Sequence, residues 1–412
     1  MRTVPVMTLL AAAICGASAF AQQPTLREAV ESYLATTEDA VAAAALPSLL
    51  QRADATAPAL LEVLTKPPAM TPGEVRFSVP HFGQQLVATM RIPEGHKPDA
   101  KPLPVLFDVS RGTTSLWLKL DGIILVYVAG FTPPQFSDEG RDAFLKVART
   151  AAFLGNGDRL WLSGYSWAAH ASYDTALHRP GFLRGLAPTG GGPRRVHFRL
   201  LRNLASTRVL AYCGEQDDRE LVWNLRELEL LRKGNGLDYT LHLDPTQAHN
   251  APVAGYTDVP AAIRAAERGA RPTRGVLYAD GPEVESPLLR CVRVEAKRVA
   301  VPRQIPVLAS DSLDQQRRKT IRAMQKAVAT VGWKIERQGT STKVTVEPRG
   351  VPLLHVLLRR SDVSLPGTLE VKRGSTRVFR GAVAIDRAVL LREARRTRER
   401  RDPVIQMVEV RS

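Results

Sequence analysis

Between residues 104 and 243 the chain alternates short, dense apolar runs with amphipathic helical stretches, and this alternation restricts the fold more than any other feature. Pro104 to Asp108, Gly122 to Val128, Arg159 to Ser163, Leu183 to Pro188, Arg208 to Cys213 and Asp238 to Leu243 have the length and composition of buried strands. Helical patterns run between them over about Asp138 to Phe153, from Ser166 to about His178, and over Glu220 to Lys233. Two further strands, Val75 to Val79 and Leu86 to Ile92, precede the series. Such a pattern predicts an α/β fold: a mostly parallel sheet wrapped by helices on both faces. Sheets of this kind bind ligands at the carboxyl ends of their strands, so the residues that follow each apolar run are the ones to inspect.

The run Arg159 to Ser163 leads directly into Gly164-Tyr165-Ser166-Trp167-Ala168 and then a helix. A serine on a tight strand-to-helix turn needs small flanking residues, which Gly164 and Ala168 provide, and it presents its hydroxyl at a helix N-terminus. Gly214-Glu215-Gln216-Asp217 follows the Arg208 to Cys213 run, and His249 follows the next one. Serine, acid and histidine thus occur in the order needed to put a nucleophile, its base and an orienting carboxylate at one sheet edge. A serine hydroxyl needs a base to take its proton, and neutral imidazole does this near pH 7 when a carboxylate fixes its tautomer. Singly, Ser166 could be a helix N-cap, Asp217 a turn residue and His249 a surface histidine. Asp218 competes with Asp217 as the acid, and His170 and His178 are expected to pack along their helix.

The segment from Gly164 through His170, His178-Arg179-Pro180 and Gly190-Gly191-Gly192-Pro193, together with the strand, Gly-x-x-Asp, Val222-Trp223-Asn224 helix and late histidine of residues 200–250, resembles secreted bacterial α/β-hydrolases. The groups in question are the dienelactone hydrolases, feruloyl esterases and prolyl oligopeptidases, and the similarity covers about residues 70–260. The resemblance implies a serine hydrolase with Ser166, Asp217 and His249 as catalytic residues and no cofactor. It implies a small-molecule or polymer ester as substrate. A prolyl oligopeptidase-type peptidase, or a non-catalytic hydrolase-like protein that binds an anionic polymer, are the alternatives. Related enzymes carry His-Gly-Gly after the first buried strand, whereas this chain has Asp108-Val109-Ser110-Arg111-Gly112. The backbone N–H of Trp167 is expected to supply one oxyanion donor, and Ser110 or Arg111 the other.

The 412 residues allow more than one domain. Residues 1–21 read as a signal peptide: Arg2, an apolar stretch from Val4 to Ala13, then Ala19-Phe20-Ala21 as the cleavage site. Cys15 leaves a lipoprotein as the lesser alternative. A secreted or periplasmic location follows from this reading. No later apolar run is long enough to span a bilayer. Residues 22–68 form a helical segment, read as two helices, the second over Ala42 to Leu64; residues 69–269 form the hydrolase domain. After a linker at Arg271 to Gly275, residues 270–412 form a mostly β module with strands at Val292 to Ala300, Lys343 to Glu347, Leu353 to Arg359, Leu369 to Lys372 and Val378 to Val383, and helices at Asp314 to Val331 and Asp386 to Arg401.

The net charge of +16 resides almost wholly in this module, where 30 Lys and Arg face 15 Asp and Glu from residue 271 onward, a net of +15. Such a basic surface is either a solvated face or a site for an anionic polysaccharide or surface. No aromatic interleaving or motif points to nucleic acid. No Cys/His spacing suggests zinc, and no Asp-rich loop suggests calcium. Cys213 and Cys291 are either a disulfide pair or buried thiols. Mass spectrometry of the exported protein should find Gln22 as the first residue; retention of Met1, or a lipid on Cys15, would contradict the signal-peptide reading.

Overall fold

The computed structural model describes residues 23–67, 70–81, 83–97, 100–110, 120–128, 136–249, 258–266, 272–280, 284–293 and 328–411, with 315, 319, 321 and 323–325. The signal-peptide segment, Arg111 and the expected strand beyond 293 lie outside these residues.

Eight strands build the larger sheet: β1 (Gly73–His81), β2 (Gln84–Ile92), β3 (Leu103–Asp108), β4 (Ile124–Val128), β5 (Gly157–Tyr165), β6 (Gly185–Thr189), β7 (Arg208–Gly214) and β8 (Tyr239–Asp244). Their spatial order is β1-β2-β4-β3-β5-β6-β7-β8, with β1, β2 and β4 antiparallel neighbours and every pair from β4 to β8 parallel. This is the α/β-hydrolase arrangement.

Residue alternation sets the two faces of the sheet. Along β3 and β5, Val105, Phe107, Leu160 and Leu162 enter one core with α4 (Asp138–Leu154), α5 (Trp167–His178) and α6 (Arg219–Asn235). Leu106 and Trp161 point the other way, where Val259 and Ile263 of α7 (Val259–Ala265) cover them.

The second core has no counterpart in a simple reading of the chain. Helices α1 (Leu26–Ala35), α2 (Asp39–Gln51) and α3 (Ala57–Thr65) pack with a five-stranded sheet of order β15-β14-β12-β11-β9 and a three-stranded sheet of order β10-β13-β16. The strands are β9 (Arg274–Ala279), β10 (Leu289–Arg293), β11 (Ala329–Gln338), β12 (Ser341–Arg349), β13 (Leu353–Arg359), β14 (Thr368–Arg373), β15 (Thr376–Ala382) and β16 (Val404–Arg411), with α8 (Arg387–Thr397) between the last two. Val30, Leu34, Leu60 and Leu64 thus share one buried cluster with Val331, Val344, Leu354 and Leu390.

Several expectations change here. The N-terminal segment holds three helices, because Thr56 caps α3 by accepting the Ala59 N–H and Pro58 sits in its first turn. Arg274 and Gly275 belong to a strand and not to a linker, since β9 pairs antiparallel with β11 from Arg274 to Ala279. The expected helix over Asp314 to Val331 gives way to strand from Ala329, where alternating Val331, Trp333 and Ile335 serve the sheet. The last helix stops at Thr397, because Arg398 takes φ +58°.

Arginines around α8 bind the chain's two ends. The last carbonyls of a helix lack intrahelical donors and carry negative partial charge. Arg395 donates to Thr36 O at 2.9 Å and Arg398 to Leu34 O, at the end of α1. Arg387 donates to Leu50 O of α2 at 3.1 Å and Arg400 to Leu64 O of α3 at 2.9 Å. In return Arg149 of α4 donates to Thr397 O at 2.9 Å, at the end of α8. Arg396 grips Glu285 through both oxygens at 2.8 Å, and the Glu285 N–H donates to the carbonyl of His178 at the end of α5. Arg387, Arg395, Arg396, Arg398 and Arg400 of the basic module are therefore engaged inside the chain, which leaves polymer binding through them without support.

Burial raises the Glu285 carboxyl, but the Arg396 charge and hydrogen bonds outweigh it and hold the pKa down to about 2. A group depressed in this way stabilises the fold above its usual value and loses that contribution as pH falls toward 2. Glu285→Gln should lower stability at pH 7 by about 3 kcal/mol by removing one of the two carboxylates that pair with the buried Arg396 and leaving Glu393 alone to do so. It should also flatten the loss of urea resistance between pH 4.5 and pH 2.5. A wild-type and a variant acid limb that run parallel would refute this.

Candidate active site

Ser166 stands between β5 and α5 with φ +57° and ψ −123°. A non-glycine residue in such a conformation costs about 1–3 kcal/mol and persists only where its surroundings dictate it. Here they do. Ser166 N–H donates to Thr189 O at 2.9 Å, so β6 fixes one side of the turn. Tyr165 N–H donates to the Ser110 hydroxyl, and Val109 N–H to Ser163 O, so the chain after β3 fixes the other. Gly164 and Gly191 leave the space this requires. A Cβ at Gly164 would lie 2.7 Å from the Ala168 carbonyl carbon, and one at Gly191 would lie 2.4 Å from Ser166 O.

The three residues expected at one sheet edge meet there. His249 Nε2 is 2.9 Å from Ser166 Oγ, and His249 Nδ1 is 2.9 Å from both carboxylate oxygens of Asp217. The Asp217 side chain is 2% exposed and also accepts the Asp218 N–H at 2.6 Å. Its buried neighbour Cys213 has its thiol 3.6 Å from Oδ2. Asp218 does not face His249; it caps α6, accepting the N–H groups of Glu220 and Leu221. Tyr165 donates its hydroxyl to the carbonyl of His249 at 2.5 Å, with the two rings 5.2 Å apart, and so steadies the loop that carries the imidazole. The sequence offered no sign of this role for Tyr165.

The oxyanion region departs from expectation. Trp167 is the first residue of α5, and its N–H has no acceptor within the helix. The Ser110 N–H, however, donates to Asp108 Oδ1 at 2.8 Å, so Ser110 braces the elbow and its amide is already committed. Arg111 lies outside the described residues.

His170 also differs from its expected packing role. It lines a cleft of about 880 Å³ together with His249, Gly190, Pro193, Arg194, Asp217, Asp218, Glu220, Leu221 and Asn224. Burial lowers its pKa, against the pull of the Gly192 backbone, and its Nδ1 lies against both the carbonyl and, at 3.2 Å, the N–H of Gly192. His178 is buried at the C-terminal end of the helix against Asp174 and Asp280. Cys213 and Cys291 are buried free thiols in separate hydrophobic cores, and burial pushes each up to about 12. Among the described residues no group of three or more His, Cys, Asp or Glu is placed to hold a metal ion, and no helix is long and apolar enough to cross a membrane.

No protein-family model and no curated protein matches the chain. Solved structures do. Dipeptidyl peptidase 4 of Porphyromonas gingivalis matches at 12% identity and TM-score 0.37 over 47% of this chain and 35% of the peptidase. A thermostable esterase matches at 15% identity and TM-score 0.38 over 44% and 60% of the respective chains. S-formylglutathione hydrolase (FrmB) of Staphylococcus aureus matches at 15% identity and TM-score 0.37 over 48% and 97%. This chain therefore spans about a third of the peptidase and three-fifths of the esterase. The fold rests on its own strand order, and the chemistry on its own side chains.

The tightness of the elbow is open to test by stability alone. Gly191→Ala should destabilise the protein by about 1–3 kcal/mol. Gly234→Ala, in α6 with nothing within 4 Å of the added methyl, should be neutral or stabilising by up to about 1 kcal/mol. Equal melting temperatures for the two variants would contradict the close approach.

Proposed function

We propose that this protein is an exported serine hydrolase that cleaves carboxylic esters through an acyl-enzyme on Ser166. The observation that carries the proposal is the continuous chain of 2.9 Å contacts from Ser166 Oγ through His249 to Asp217, set on a strained strand-to-helix turn. In the first step Ser166 Oγ bonds to the ester carbonyl carbon and its proton passes to His249 Nε2. Asp217 holds the Nδ1–H and stabilises the imidazolium. The carbonyl C–O bond then breaks, and His249 gives its proton to the departing alkoxide. Water adds to the acyl-enzyme, yielding a proton to His249; the acid leaves and the proton returns to Ser166. No cofactor enters these steps.

The reading prefers esters to amides on physical grounds. Loss of one oxyanion donor slows acyl transfer on the order of 10²- to 10³-fold. Here the Ser110 amide is bonded to Asp108. Esters with good leaving groups tolerate a weak oxyanion site, whereas an amide also needs its poor leaving group protonated. Export after removal of residues 1–21, and a hydrolase domain over 69–269 joined to a module over 270–412, belong to the same proposal.

Wild-type protein should hydrolyse p-nitrophenyl acetate and be labelled by a fluorophosphonate probe. Ser166→Ala should abolish labelling and lower kcat on the order of 10⁴-fold or more, and Asp217→Asn should lower it on the order of 10⁴-fold. Equal rates for wild type and Ser166→Ala, with no labelling of either, would overturn the hydrolase reading.

A further inference from the structure

The cleft at Ser166 lies to one side of the nucleophile. The chain after β3, where an oxyanion donor is expected, is on the β3 side of β5. The cleft walls come from the other side: Gly190 to Arg194 after β6, Asp217 and Asp218 after β7, the first turns of α6, and His249 after β8. His249 is the group that returns a proton to the departing oxygen, so this side houses the alcohol half of the substrate.

The polar groups of the cleft are unevenly committed. Its carboxylates are engaged: Asp217 with His249, Asp218 with the α6 amides, and Glu220 with a partner of its own. Its donors are not. Arg194 is exposed, and its guanidinium lies 3.8 Å over the centroid of the Phe136 ring, which orients the plane without satisfying any N–H. It has no carboxylate partner among the described residues. Asn224 is only 6% exposed, yet its side-chain NH2 bonds to no described residue, and only its Oδ1, an acceptor that would not meet an anion, is shut away from the cleft. Buried amides are nearly always paired, so one left open beside a cleft marks a place for a ligand atom. A full positive charge and an amide NH2, with every nearby carboxylate occupied, match a planar anion.

We propose that the leaving alcohol of the substrate carries a carboxylate, held by the guanidinium fork of Arg194 with Asn224 beside it. The inference rests on the ester-hydrolase reading of Ser166. Arg194 is a specificity residue in this scheme and takes no part in proton transfer. A guanidinium pairs with a carboxylate through two parallel N–H···O bonds, which an ammonium cannot reproduce.

The test compares 3-acetoxybenzoate with methyl 3-acetoxybenzoate, two acetate esters that differ in the charge of the leaving phenol. The kcat/KM ratio of anionic to neutral ester should fall about tenfold in Arg194→Gln, consistent with loss of a charge-assisted pair. It should fall less in Arg194→Lys and stay at the wild-type value in Arg349→Gln, which removes the same charge from the exposed end of β12. The change should be in KM. A ratio unaltered by Arg194→Gln, while both esters are hydrolysed in a Ser166-dependent way, overturns this proposal and leaves the hydrolase reading standing. A charge preference confined to the acyl half, read as mono-p-nitrophenyl glutarate over p-nitrophenyl pentanoate, also overturns it. Failure of every ester, together with absence of fluorophosphonate labelling, removes both.

Discussion

Ser166 holds a backbone conformation that residues with side chains avoid, and two segments distant in sequence, together with its own strand end, are shaped around it. Thr189 O receives its N–H, the Ser110 hydroxyl receives that of Tyr165, and Gly164 and Gly191 withhold the side chains that would collide with the turn. Parallel pairing of β3, β5 and β6 delivers all three to one edge in register. The strained turn is thus a property of the whole sheet, since a shift in any of the three strands would leave the serine without its supports. The same pairing extends to β7 and β8, whose ends bring Asp217 and His249 to the hydroxyl.

The second organising element is the set of arginines around α8. Burying a guanidinium is unfavourable unless its N–H groups find acceptors. The otherwise orphaned carbonyls at the ends of α1, α2 and α3 are such acceptors, already carrying partial negative charge. Each arginine therefore corrects two deficits at once. Arg398 shows the limit of the device: burial lowers it to about 9, and Arg400 and Arg395 push in the same direction, so only Leu34 O and a distant Glu31 favour its charge.

The parallel sheet and the candidate site were legible because their signals are local. Dense apolar runs mark buried strands, Gly-x-Ser-x-Ala marks the elbow, and the order of Ser166, Asp217 and His249 follows from successive strand ends. The β module was less legible. Val331, Trp333 and Ile335 alternate as a strand, but an Ala-rich, Lys-rich approach extended the helical reading across them. Val404 to Val410 alternates as well, yet β16 makes sense only beside β13, its antiparallel partner about 50 residues earlier. The break between α2 and α3 was hidden by Ala and Leu on both sides, and Thr56 acts as a cap only once Ala59 is in place. The Ser110 amide and His170 were misread for a different reason: what a polar group bonds to is set by neighbours that a linear pattern does not reveal.

The arginine caps also impose an order in time. Helices of 9 to 13 residues such as α1, α2 and α3 are marginal by themselves in water. Their carbonyl partners come from residues synthesised more than 330 positions later, and their apolar cover from residues more than 200 positions later. Closing a loop of that length early is entropically costly, so these helices must wait, while the parallel sheet assembles from segments much nearer one another in sequence. Helices α1 to α3 are therefore among the last elements of the fold to become fixed.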